Sequence, residues 1–187
     1  LWPGKFPIDR LEIIKKQVGT RVWSSLYQQS PIIEGGNIIK QDWFRYYQKL
    51  PFDPHKWRES YLITSWDLSF KDTGKSYVVG CVIAKHKADF YLVDIYRQKA
   101  DIIETKKAVK SMHKTWPNCK VILVEDKANG PAILSLLKGE VTGLVPVTPE
   151  VKKDERLHSI APIFEAGNFH LPANHPMTKI IVEELVS

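Results

Sequence analysis

The sequence contains few cysteines and no long apolar run. Its only cysteines, Cys81 and Cys119, make neither a disulfide framework nor a cysteine-based zinc site. The longest apolar runs, such as 77–84, are far shorter than the roughly 20 residues that cross a bilayer. The stretch 1–7 lacks the pattern of a signal peptide. These absences predict an intracellular protein with reduced thiols and no membrane partner.

Several catalytic and metal-binding patterns are also missing. No Gly-rich phosphate loop of the G-x-x-x-x-G-K-[ST] type occurs, which excludes an ATPase site of that type in these residues. No serine lies in a nucleophile-elbow pattern. The histidines show no metal-site spacing. Carboxylates and basic side chains are therefore the remaining candidates for chemistry.

The charge is unbalanced towards the basic side. Lysine and arginine outnumber aspartate and glutamate by 27 to 21, giving a formal net charge of +6 and a pI near 9.2. This excess favours contact with a polyanion such as nucleic acid but does not identify it. A lysine row lies on one side of a predicted helix, at positions 106, 107, 110 and 114. Such a row is typical of a solvated face, and contact with a phosphate backbone is the alternative.

Hydrophobic periodicity divides the chain into an N-terminal arm, 1–58, and a domain, 59–187. The arm has a helical pattern over 7–18 and an aromatic cluster over 43–47, which we interpret as a hydrophobic anchor. The domain begins with three strands, of which the last two are joined by a short polar link typical of an antiparallel hairpin. Helices and strands then alternate, which predicts an α/β fold with a mixed sheet flanked by helices. The predicted strands cover 61–66, 77–84, 90–95, 121–124, 144–147 and 169–171, and the predicted helices cover 101–116, a segment from 131, 157–164 and 177–186.

Two carboxylates stand at the ends of apolar strands. Asp67 ends the run LITSWD and Glu125 ends the run VILVE. If the two strands are neighbours, both side chains can converge, and close carboxylates repel unless a proton or cation lies between them. Ligation by oxygen alone suits Mg²⁺ or Mn²⁺. The alternative is that each carboxylate only begins a turn, since aspartate is common there.

These motifs resemble the C-terminal nuclease domain of the large terminase subunits of tailed bacteriophages. Each motif is short, but their joint order along nearly the whole chain is specific. The resemblance rests on SWDLSFKD at 65–72, YLVD at 91–94, VEDKANG at 124–130, KDER at 153–156, IFEAGNF at 163–169 and LP at 171–172, and in the arm on YQQSP at 27–31, EGG at 34–36 and DWF at 42–44.

The resemblance implies a ribonuclease H-like fold and an endodeoxyribonuclease. Such an enzyme cuts double-stranded concatemeric viral DNA when packaging starts and ends, by two-metal in-line hydrolysis with Mg²⁺ or Mn²⁺. Asp67 matches the ligand that bridges both ions, and Glu125 matches the ligand from the fourth strand. Asp126 would point to the other sheet face by strand alternation.

Further roles follow from the same resemblance. Many relatives carry an acid just before the second strand, where this chain has Lys75-Ser76, and Asp72 is a candidate metal ligand in its place. The family's third acidic ligand has no clear counterpart here and is expected beyond Ser187. The residues expected to hold DNA phosphates are Lys127, Lys152, Lys153 and Arg156.

The resemblance also implies a setting and leaves alternatives. The expected partners are double-stranded DNA, the portal protein, the small terminase subunit and an ATPase domain of the same polypeptide, in the cytoplasm of an infected host cell. One alternative is another ribonuclease H-like nuclease of the resolvase or transposase type. Another is a catalytically weak module that binds DNA or docks on the portal, with Asp67 and Glu125 as structural residues.

Overall fold

The computed structural model describes residues 4–29, 38–56, 58–68, 77–126 and 130–187. The predicted order of strands and helices in the domain is confirmed, with one additional strand in the arm. The helices are α1 Ile8–Val22, α2 Ile102–Thr115, α3 Gly130–Leu137, α4 Lys153–Glu165 and α5 Thr178–Leu185, with a π-helical turn at Trp23–Tyr27 and a 3-10 turn at Gln41–Trp43. The strands are β1 Arg45–Tyr47, β2 Tyr61–Asp67, β3 Val78–His86, β4 Asp89–Gln98, β5 Val121–Glu125, β6 Leu144–Val147 and β7 Phe169–Pro172.

The strands form one sheet in the order β1-β7-β4-β3-β2-β5-β6. Strands β2, β3 and β4 are antiparallel neighbours, as the hairpin pattern predicted. Strand β5 pairs parallel with β2, and β6 pairs parallel with β5. The predicted mixed sheet is therefore confirmed, and β2 lies where its antiparallel and parallel parts meet.

Alternating burial shows which sheet face carries the core. In β2, Leu62, Thr64 and Trp66 are buried, while the residues between them are exposed or half-buried. Helix α2 contributes Val109 and Met112 to the cluster that contains Trp66, and α3 contributes Ile133 and Leu137. Both helices thus cover the same face of the sheet.

Helix α2 begins at a capping box that the sequence encodes locally. The Glu104 backbone N–H donates to Asp101 Oδ1 at 2.7 Å, and the Asp101 N–H donates to Glu104 Oε2 at 3.0 Å. Two otherwise unpaired donors are thereby satisfied at the helix start.

The chain divides into two compact units. One comprises Tyr47–Glu150 and His170–Asn174 and holds most of the sheet with α2 and α3. The other comprises Leu1–Tyr46, Val151–Phe169 and His175–Ser187. It thus draws on both sides of the predicted boundary between 58 and 59, which stays a prediction.

Helix α1 bends within the second of these units. Gly19 has a φ of +76°, and an added Cβ there would lie 3.0 Å from a carboxylate oxygen of Glu165. The Thr20 backbone N–H donates to Glu165 Oε2 at 2.9 Å, and the Thr20 hydroxyl donates to the other oxygen. Glycine therefore permits both the bend and the close approach of α4 to α1.

The helices in the described part of the chain include none that is both long and apolar enough to cross a membrane.

Candidate metal centre

The sheet brings Asp67 and Glu125 side by side. Strands β2 and β5 run parallel with Ser65 opposite Leu123 and Trp66 opposite Val124. The next residues along the two strands are Asp67 and Glu125, and each is the last residue of its strand. Since neighbouring strands lie about 4.8 Å apart, the two carboxylates are first neighbours across the sheet.

Both carboxylates point away from the helix-covered face. Trp66 and Val124, the preceding residues, are 1% and 0% exposed and pack in the core. Successive side chains alternate between faces, so the Asp67 and Glu125 side chains project from the opposite one. Asp67 is exposed and Glu125 is half-buried.

Asp126 continues the strand pairing but does not join this pair. Its backbone N–H donates to the Val147 carbonyl at 2.8 Å, one residue beyond the Glu125 and Val147 register pair. Extended pairing at this residue turns the Asp126 side chain to the opposite face from Glu125. The choice of Glu125 over Asp126 as a ligand stays a prediction.

A glycine makes room for the side chain that precedes Asp67. Gly80 lies opposite Trp66 in the β2–β3 register, and an added Cβ would lie 2.6 Å from three atoms of the indole ring. The ring also packs against Tyr96, with centroids 5.7 Å apart. Trp66 is thus held in one position next to the candidate ligand. Sequence reasoning missed this support, although glycine inside a strand often marks such a close approach.

A second glycine holds the chain close to Glu125. Gly130 begins α3, and a Cβ there would lie 2.1 Å from the Glu125 carbonyl oxygen. Only glycine allows α3 to start against the end of β5 in this way. The motif noted at 124–130 therefore has a structural basis at its last position.

The predicted phosphate-binding residues fall in different places. Lys152 is the N-cap of α4, Lys153 is its first residue and Arg156 lies in its first turn, and all three are exposed. Cations are unfavourable at the positive end of a helix dipole, so helix stability does not account for Lys152 and Lys153. These residues belong to the second compact unit, whereas the carboxylate pair belongs to the first. Lys127 and Asp72 lie outside the described residues.

The lysine row of α2 has a structural partner. Lys106 and Lys110 contact the two oxygens of Glu140, each at 2.6 Å. The hydrogen bonds from Lys106 and Lys110 lower the pKa of Glu140 to about 2. These contacts join α2 to the segment after α3. Two of the four lysines in the row therefore have a structural role that does not require DNA.

The donor set suits a hard divalent cation. Asp67 and Glu125 offer only oxygen ligands, and Mg²⁺ is commonly held by one or two carboxylates completed by substrate phosphates and water. Within the residues that the structure describes, no group of three potential metal-binding side chains is found. The described residues therefore contribute a pair of carboxylates to such a centre.

Comparison with known proteins agrees with this architecture. A family model described as the terminase RNaseH-like domain matches residues 64–185. No curated protein gives a significant sequence match.

Solved structures with the same fold come from thermophilic phages. The large terminase of a thermophilic bacteriophage in complex with ADP aligns with a TM-score of 0.72 at 11% identity, covering 96% of this chain and 44% of that one. The large terminase nuclease of phage G20c with bound magnesium gives 0.63 at 13% identity, covering 82% and 80%. The large terminase nuclease domain of Thermus phage P74-26 gives 0.57 at 15% identity, covering 78% and 74%. This chain spans less than half of the length of the ADP-bound terminase. The predicted ribonuclease H-like fold is confirmed.

Proposed function

This chain belongs to the terminase RNaseH-like domain family, and on that basis we propose that it is the metal-dependent endonuclease of a viral DNA-packaging motor. Its substrate is double-stranded concatemeric viral DNA, cut when packaging starts and ends. The observation that carries the proposal is that Asp67 and Glu125 directly follow the paired residues Trp66 and Val124 at the ends of two adjacent parallel strands. The G20c nuclease structure with bound magnesium supports the choice of a divalent ion.

The carboxylate pair defines where the chemistry takes place. Two Mg²⁺ or Mn²⁺ ions, when bound, supply Lewis-acid stabilisation of the phosphodiester and a nucleophile at neutral pH. Asp67, at the tip of β2, and Glu125, at the end of β5, would hold the ions. The packed Trp66 and Gly80 pair keeps the Asp67 backbone fixed, so the ligands need little reorganisation. Water would attack the phosphorus in line, losing a proton to solvent as the bond between phosphorus and the 3′ oxygen breaks.

The remaining roles are part of the same proposal. Lys127, Lys152, Lys153 and Arg156 bind DNA phosphates, and Asp72 is an additional candidate ligand. An ATPase domain of the same polypeptide, the portal and the small terminase subunit are the protein partners, in the host cytoplasm. The large terminase in complex with ADP supports the presence of an ATPase domain in the same polypeptide. That protein is more than twice as long as the part of it that this chain covers.

A plasmid-nicking assay with Mn²⁺, Mg²⁺ or EDTA tests the proposal. Asp67→Asn and Glu125→Gln are each expected to lower metal-dependent cutting by at least about 100-fold, since loss even of groups that support a metal ligand costs about 10–100-fold. Asp126→Asn is the matched control, because it removes a neighbouring carboxylate on the opposite face. Full cutting by Asp67→Asn, or an equal loss in Asp126→Asn, would contradict the assignment.

One observation favours a second candidate function. Because the described residues contain no third ligand beside the pair, the chain is alternatively a catalytically weak module that binds DNA or docks on the portal. This candidate predicts DNA binding without metal-dependent cutting, and unchanged affinity in Asp67→Asn. Inactivity of both this chain and a version extended past Ser187, with either metal, would decide in its favour.

A further inference from the structure

Two cations share one aromatic ring at the start of β3. The Arg97 guanidinium lies 3.9 Å from the centroid of the Tyr77 ring, and Lys99 Nζ lies 5.6 Å from the same centroid. Tyr77 is 41% exposed, Arg97 is half-buried and Lys99 is exposed. We call these three residues the Tyr77 bracket.

The strand register places one member of the bracket, Arg97, in the same row across the sheet as Asp67. Val79 pairs with Asp67 on one side and with Arg97 on the other. The preceding row, Trp66, Gly80 and Tyr96, packs in the core, so Arg97 projects from the same face as Asp67. Two strand spacings separate the Arg97 and Asp67 backbones, which is about 10 Å.

A β-bulge sets this placement. Ile83 pairs with Leu92, but Val82 pairs with Asp94, so Val93 is an extra residue in β4. Without it, Val79 would face Tyr96, and Arg97 would move to the other face. Bulges commonly redirect side chains beside functional sites in this way.

The bracket has the chemistry of a phosphate-binding site. A guanidinium over an aromatic face keeps its planar fork of N–H donors, and that fork matches two phosphate oxygens at once. The ring also limits the side-chain freedom that binding would otherwise cost. A separation of about 10 Å is short enough for one duplex to reach both positions, because each strand of B-DNA carries one phosphate per about 3.4 Å of helix axis.

We propose that the Tyr77 bracket binds backbone phosphates of double-stranded DNA on one side of the Asp67 and Glu125 pair. The inference rests on the proposed nuclease function for its substrate, but binding can be measured without cleavage. In this arrangement Arg97 fixes the position of the strand, and Lys99 adds a second charge further from the pair.

The test compares two double variants of equal charge loss. Arg97→Gln/Lys99→Gln removes both charges of the bracket and keeps most of each aliphatic stem. The control, Lys85→Gln/Lys87→Asn, removes two cations at the hairpin end of the same strands, where Lys85 lies 5.8 Å from the Phe90 ring. Asparagine suits position 87 because its φ is +55°. Binding of a short fluorescein-labelled duplex is followed by anisotropy in EDTA.

The bracket variant is expected to bind at least about tenfold more weakly than wild type, as loss of charged hydrogen bonds implies. Its slope of log affinity against log salt should fall by about 1.8, or about 0.9 for each phosphate contact. The control should match wild type in both measurements. The single variant Lys99→Gln, at an exposed position, should lower the slope by about 0.9. It serves as a second test in case the double variant does not fold.

Three results would overturn the inference: unchanged binding in the bracket variant, an equal loss in the control, or no duplex binding by wild type. Failure of the proposed function looks different. Suppose that the wild-type chain never cuts DNA, but that its binding of duplex in EDTA is weakened by Arg97→Gln/Lys99→Gln. This result would refute the proposed nuclease and support the phosphate site.

Discussion

Replacing Gly80 with alanine tests how the core fixes the metal centre. The added methyl would lie 2.6 Å from three indole atoms of Trp66, whose side chain is 1% exposed and cannot swing into solvent. Overpacking of this kind costs about 1–3 kcal/mol. Reduced freedom of the unfolded chain offsets roughly 0.4–1 kcal/mol. The expected net loss in the free energy of unfolding is therefore about 1–2 kcal/mol, or roughly 2–8 °C in Tm for a chain of this size.

A double-mutant cycle shows whether the indole causes this cost. Urea unfolding, followed by circular dichroism, gives the free energies for Gly80→Ala, Trp66→Leu and the double variant. Gly80→Ala should cost at least about 1 kcal/mol less in the Trp66→Leu background, since contacting residues couple by about 0.5–3 kcal/mol. Equal costs in both backgrounds would refute the proposed contact. In the nicking assay, Gly80→Ala should also cut more slowly, because displacement of Trp66 moves Asp67.

Two other sites give predictions of different kinds. Gly130→Ala places a methyl 2.1 Å from the Glu125 carbonyl oxygen. We expect cutting to fall at least about tenfold while duplex binding in EDTA persists, because metal sites are sensitive to the residues that support their ligands. Unchanged cutting would contradict this. Glu140→Gln should lower thermal stability at neutral pH by removing the partner of Lys106 and Lys110. Because folding lowers the Glu140 pKa to about 2, its contribution is complete above the unfolded pKa of about 4.3 and disappears as the pH falls towards 2. A difference in Tm between wild type and variant that persists at the lowest pH would contradict that cause.

Local sequence patterns were sufficient to predict most elements. Strand β2 alternates buried and exposed residues through Trp66, and α2 carries its own capping box at Asp101 and Glu104. Such signals act over a few residues, so they can be read without knowledge of the fold. Strand β1 was missed because Arg45–Tyr47 is only three residues long and is a strand by virtue of its place in the sheet.

The positions of Asp67 and Glu125 at the ends of apolar strands could be predicted from the sequence, and the order of motifs indicated the family. That β2 and β5 are parallel neighbours, with the preceding residues Trp66 and Val124 in register, is visible only in the folded chain. Strand pairing joins residues far apart in the sequence, and a shift of one position would turn either carboxylate to the other face. The bulge at Val93 determines the side of Arg97 in the same way. Alternation fixes which residues share a face, but pairing fixes which of them meet.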